Sequence, residues 1–145
     1  MANIFDVAKY ILKTKGKMST LKLQKLCYYS QVWYLVWKDK PLFRSKIIAF
    51  AHGPVIRELY DLHKGKFALT ARDIPTDKLS SELQEDEKDV INKVLDFYAD
   101  KSAQWLSDLS HKESPWKDAR EGIPDGAPSN KEITLESIMA YYSNL

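Results

Sequence analysis

The stretch from Cys27 to Trp37 (Cys-Tyr-Tyr-Ser-Gln-Val-Trp-Tyr-Leu-Val-Trp) is apolar nearly all the way round a helical wheel. A helix with no polar face has to be enclosed on every side. The sequence therefore predicts one buried central helix with the rest of the chain wrapped around it. At 145 residues the chain is long enough to do this, since a domain of that size buries roughly 68–70% of its unfolded surface. The longest unbroken apolar run, Val32 to Trp37, falls far short of the ~20 residues needed to cross a bilayer. A single cysteine excludes an intramolecular disulfide framework. An aromatic content of 12% argues against a disordered chain. The first residues show no charged start followed by an apolar stretch, so no signal peptide is expected and the cytoplasm is the expected location.

Around that centre, Asn3 to Lys15 predicts an amphipathic helix. Ile4, Val7, Ala8, Ile11 and Leu12 form its stripe, Asn3 its N-cap and Gly16 its stop. Ser19 caps the central helix, which runs to about Lys38. Ile47 to Ala51 reads as a strand. Gly53-Pro54 then opens a helix over Val55 to Lys64, with Pro54 at or next to its first position. Phe67 to Ser80 reads as loop with one short strand near Phe67–Leu69. Ser81-x-x-Gln84 fits a capping box for an acidic helix reaching about Asp100. Its predicted buried face is Val90, Ile91, Val94, Leu95, Phe97 and Tyr98. Ser102 caps a helix through Leu109, and Ser114-Pro115 starts another that ends at Gly122. Ile123 to Asn130 is a turn-rich loop, and Leu135, Ile138, Met139 and Tyr142 form a closing helix. The expected fold class is mainly α (α+β with minor β content): a compact single domain over residues 1–145, with one or two short strands.

The net charge of +2 hides an asymmetry. Through Lys66 there are 13 Lys/Arg against 4 Asp/Glu, and from Phe67 onward 9 against 16. Such separation marks either an interaction surface or two solvated faces that attract each other within one fold. The acidic helix, with Glu85, Asp86 and Asp89 in its first turns, is a candidate partner-binding surface. An acidic face of this kind suits a partner with a basic surface.

No phosphate loop, His-Glu-x-x-His, Cys-x-x-Cys or Gly-x-Ser-x-Gly occurs, and no metal or cofactor is expected. His52, before Gly53-Pro54, and His111, before Lys112-Glu113-Ser114-Pro115-Trp116, are the most notable titratable groups. They read as structural, each imidazole bonding backbone at a chain reversal. The alternative is a small hydrolase or transferase using one of them as general base. Gln24, Tyr28 and Gln31 form a polar stripe on the central helix, since residues seven apart lie within about 20° of each other. The stripe is either an internal hydrogen-bond network or a partner contact. The lysines of the first two helices lie on all sides, so nucleic-acid binding is not favoured.

Three blocks make the chain recognisable. They are Lys22-Leu-Gln-Lys-Leu-Cys-Tyr-Tyr-Ser-Gln-Val-Trp-Tyr-Leu35, continuing to Lys40-Pro41-Leu42-Phe43; Phe50-Ala-His-Gly-Pro-Val-Ile-Arg-Glu-Leu-Tyr60; and Leu106-Ser-Asp-Leu-Ser-His-Lys-Glu-Ser-Pro-Trp-Lys-Asp-Ala-Arg-Glu-Gly122. In order and spacing they resemble the Panacea domain, the SocA-like antitoxin family that also includes phage-associated GepA-type proteins. The resemblance implies an antitoxin without catalytic residues. Such a protein neutralises a cognate toxin by binding it, or by handing it to a protease. Some relatives are stray prophage genes without a toxin, and many carry an additional domain. No appended DNA-binding domain is expected here. A homo-oligomer is compatible with the charge pattern. The predicted closing helix leaves no disordered tail, so neutralisation would use a preformed surface.

Overall fold

The computed structural model describes residues 1–145. The first helix, α1 (Ile4–Lys15), begins where Asn3 and Asp6 satisfy each other's backbone N–H groups at 2.9 Å. It ends at Gly16, whose φ of 84° only glycine adopts freely. A two-residue strand, β1 (Met18–Ser19), leads into α2 (Thr20–Lys38), where the Ser19 hydroxyl caps Lys22 N–H. This is the central helix. Leu23 through Val32 is buried without a break, and α1 and three further helices pack around it. Its far end emerges: Trp37 is 49% exposed, so the enclosure anticipated from composition stops short of the last turn.

The next segment corrects the sequence reading. Strand β2 (Ile47–Phe50) is followed by a second strand, β3 (Gly53–Ile56), and only then by helix α3 (Arg57–His63). Pro54 therefore does not start a helix. It lies in the edge strand of a hairpin, opposite Ala49. Ala49 N–H donates instead to Lys131 O on the other side, so the N–H that proline lacks removes no ladder bond. The β-branched pair Val55 and Ile56 then completes the strand. Strand β4 (Ala68–Leu69) pairs with β1, and two 3₁₀ turns follow at Ala71–Asp73 and Thr76–Lys78.

Helix α4 (Glu85–Tyr98) starts three residues later than the Ser81 capping box implies. Gln84 is its N-cap, and the Glu87 carboxylate accepts from Gln84 N–H at 2.7 Å. Val90, Ile91, Val94, Leu95 and Tyr98 face the core, but Phe97 is 61% exposed. Ser102 caps α5 (Ala103–Lys112), which runs a turn beyond Leu109, and α6 (Ser114–Ala119) follows with Pro115 in its first turn. A last short strand, β5 (Glu132–Ile133), pairs with β2 to give the order β3-β2-β5, all antiparallel. Thr134 caps the closing helix α7 (Leu135–Tyr142). One apolar cluster runs from Ala2 to Tyr142, and the fold is mainly α with two small sheets. No helix is long and apolar enough to cross a membrane.

Candidate functional site

The β2–β3 hairpin is held by side chains that take up its backbone groups from two sides. From α2, Gln24 acts as a one-residue strand. Its Oε1 accepts from Ile56 N–H at 2.8 Å and its Nε2 donates to Ile56 O at 3.3 Å. The same Nε2 lies 2.9 Å from His63 Nε2. Lys25, fully buried, donates from Nζ to Pro54 O at 3.1 Å. From α5, α6 and the residue after α6, the other side chains converge. Ser107 Oγ donates to His52 O at 2.8 Å, Trp116 Nε1 to Phe50 O at 2.8 Å, and Arg120 to Ala49 O at 3.0 Å. Arg120 also donates to Pro124 O and Ala127 O, pinning the loop beyond it. Each bond spares a buried carbonyl or N–H the roughly 1–3 kcal/mol cost of being left unpaired. Burial lowers the Lys25 pKa to about 7, because the charged amine is desolvated and has no anionic partner.

A second group lies where α2, α4, α5 and α7 meet. The Glu113 carboxylate takes the Tyr29 hydroxyl at 2.5 Å and the Tyr142 hydroxyl at 2.7 Å, both on Oε1. Tyr28 lies 3.0 Å from the Tyr142 hydroxyl, and Tyr29 stacks on Tyr98 at 4.4 Å. Burial pushes the Glu113 pKa up, and the two hydroxyls only partly offset this. Glu113 also lines an open groove of about 500 Å³, walled by Trp33, Trp37, Phe97, Tyr98 and Trp105. No three His, Cys, Asp or Glu side chains come together in a way that would hold a metal ion.

The family model of the antitoxin SocA-like Panacea domain matches residues 23–117. The chain belongs to this family. No curated protein and no solved structure matches it. The matched span runs from Leu23 on α2 through the hairpin to Lys117, and it holds Gln24, Lys25, Ser107 and Trp116 of the hairpin cradle, while Arg120 lies just beyond it. The three sequence blocks are thus brought together in space: the first and third satisfy the backbone of the second.

Within this Panacea domain, Gln24, Tyr28 and Gln31 are 2%, 0% and 1% exposed. Each bonds inward to its own partners, Gln24 to Ile56, Tyr28 to Tyr142 and Gln31 to Leu42 and Phe43, and none offers a surface to a partner protein, which removes them from the candidate partner-binding residues. Gln31 does for the chain after α2 what Gln24 does for the hairpin. It accepts from Leu42 N–H at 2.6 Å and donates to Phe43 O at 2.7 Å. Gln31→Leu should therefore lower stability by about 1–3 kcal/mol, read as a shift of the urea midpoint. An unchanged midpoint would contradict the role assigned to the amide.

The two histidines differ. His52 is exposed, and its carbonyl, not its ring, is what the fold uses. The expectation that its imidazole fixes the chain reversal is corrected accordingly, and His52→Ala should change stability by less than about 0.5 kcal/mol. The His111 ring stacks on Trp116 at 4.1 Å with its Nε2 buried and without a partner. Burial lowers its pKa, with nearby Lys25 acting in the same direction. Gly53 fits into the cradle and Pro54 supplies the carbonyl for Lys25. On α4, Glu85 and Asp89 are exposed, whereas Asp86 is half-buried and accepts from the Tyr34 hydroxyl at 3.0 Å. Lys25, Glu113, Arg120 and the groove are not anticipated by the sequence reading.

Proposed function

We propose that this Panacea domain is an antitoxin that neutralises a toxin protein in the cytoplasm by direct binding, through a surface already formed in the free chain. Membership of the antitoxin family carries the reading. The distribution of charge supports it. The only ion pairs are Arg57–Asp61 and Lys101–Asp100, and neither joins the basic N-terminal half to the acidic half. The exposed carboxylates of α4 are therefore not used up inside the fold. A preformed surface also avoids the ordering cost of a tail that folds on its target. In this reading His52 and His111 take part in no chemical step.

Co-expression with the product of the neighbouring gene tests the proposal. Growth rescue together with co-purification is the expected result, and failure of both with every neighbouring gene product would overturn it. Charge on α4 should act on the encounter. Lysine at both Glu85 and Asp89 should slow association with the toxin, most strongly at low salt, while leaving the melting temperature unchanged. Asp86 is spared because it holds Tyr34. Association rates equal to wild type at every salt concentration would remove this face from the interface.

A further inference from the structure

The groove between α2, α4 and α5 gathers Trp37, Phe97, Trp105 and Leu145, four of the seven exposed large apolar side chains of the domain. Phe97 is 61%, Trp37 49% and Trp105 41% exposed, three large aromatic side chains on adjoining helices. Contiguous exposed aromatics on a folded chain mark a contact surface. Two observations say what chemistry fits. Two of the rings show an affinity for cations that this chain's own lysines already use at the rim: Lys93 Nζ, which also lines the groove, lies 5.7 Å from the Trp37 ring centre and Lys101 Nζ 5.2 Å from that of Trp105. Lys101 is already paired with Asp100, at 3.8 Å. In addition, the groove is floored by a carboxylate with unused capacity. Both hydroxyls that reach Glu113 bond Oε1. Glu113 is 6% exposed, and the one sealed side-chain polar atom without a partner is His111 Nε2, so Glu113 Oε2 keeps a narrow opening.

We propose that this groove docks an apolar segment of a partner protein carrying one lysine or arginine, its cation against Glu113 and its stem along the aromatic walls. The inference rests on reading the chain as a protein-binding module. A wholly apolar segment would close Glu113 Oε2 off from water without pairing it, which is costly for a carboxylate. An anionic segment would meet like charge at Glu113, while Lys93, the other charged group of the lining, is already set over the Trp37 ring. A cationic side chain supplies the missing partner, and a long aliphatic stem suits the rings above it.

Two synthetic amphipathic peptides that differ only at one central position, arginine or norleucine, test this against the intact domain. Binding is followed by the indole N–H resonances. Those of Trp37 and Trp105 should shift, while that of Trp116, bonded to Phe50 O on the hairpin, should not. The arginine peptide should bind about tenfold tighter. Glu113→Gln, whose amide oxygen can still accept from Tyr29 and Tyr142, should abolish the difference between peptides. Trp105→Ala, at an exposed position, should weaken both. Equal affinity for the two peptides, shifts that bypass Trp37 and Trp105, or sedimentation showing a dimer that hides the groove would each overturn the proposal. These readouts need no toxin. A domain that discriminates the peptides yet rescues growth from no toxin would keep the groove and sink the antitoxin reading; the reverse outcome would keep the reading and sink the groove.

Discussion

Gly53→Ala should lower the stability of the domain by about 2–6 kcal/mol, enough to unfold a marginal domain. Two effects add. Gly53 has a φ of +119°, a conformation that strains any residue with a Cβ by about 1–3 kcal/mol. A Cβ there would also stand 2.6 Å from Lys25 Cε and 2.9 Å from Ser110 Oγ. The lysine tail is flexible in principle, but Lys25 is 0% exposed and has nowhere to retreat. Overpacking of this kind costs about 1–3 kcal/mol more. Urea unfolding reads the total. Repeating the change in a Lys25→Ala background removes most of the clash and leaves the backbone strain. A Gly53→Ala midpoint within error of wild type would mean that the cradle is not closed around the hairpin turn.

Stability should rise as the pH is raised from about 7 towards 10.5, a window in which most domains have passed their optimum. The cause is Lys25. Its folded pKa is about 7 and its ordinary value 10.5. Between these the unfolded chain holds the proton and the folded chain does not, so the slope of stability against pH is positive. Below pH 7 both states are charged and the full desolvation penalty is present, on the order of 5 kcal/mol for the whole window. His63 and His111, both lowered chiefly by burial, act in the same direction in the histidine range. The buried tyrosines set the upper limit. Burial raises Tyr28, Tyr29 and Tyr142, so above about pH 10 the unfolded chain loses those protons first and stability falls again. Lys25→Met should raise stability at pH 7 by about 1–4 kcal/mol and flatten the climb. A wild-type profile that is flat from pH 7 to 10 would refute a neutral, enclosed Lys25.

The helices were legible because their caps and stripes are local. Asn3, Ser19 and Ser102 each cap the helix predicted from them. The hairpin is not legible in the sequence because Gly-Pro before a periodic run is also a helix-start signal, and only the pairing of Ala49 with both neighbours shows that Pro54 sits on an edge. Strands β1 and β5 are two residues long, too short to show any period. Phe97 and Trp37 fit their apolar stripes, but no element covers the groove they border. Lys25 did carry a signal. It precedes Tyr28, Tyr29 and Val32 at spacings of three, four and seven, the buried face of the helix. Glu113 carried none, because its role depends on Tyr29 and Tyr142, distant in sequence.

The central claim is that the family's sequence blocks cradle the β2–β3 hairpin and that recognition takes place on the outer surface of α4 and α5. Amide hydrogen exchange on the free domain and on its complex with the neutralised toxin tests this most directly. The account predicts new protection in Glu85–Tyr98 and Ala103–Lys112, with Ile47–Ile56 already slow in the free domain and unchanged in the complex. Protection gained at the hairpin and around His52, with none on α4 or α5, would contradict it.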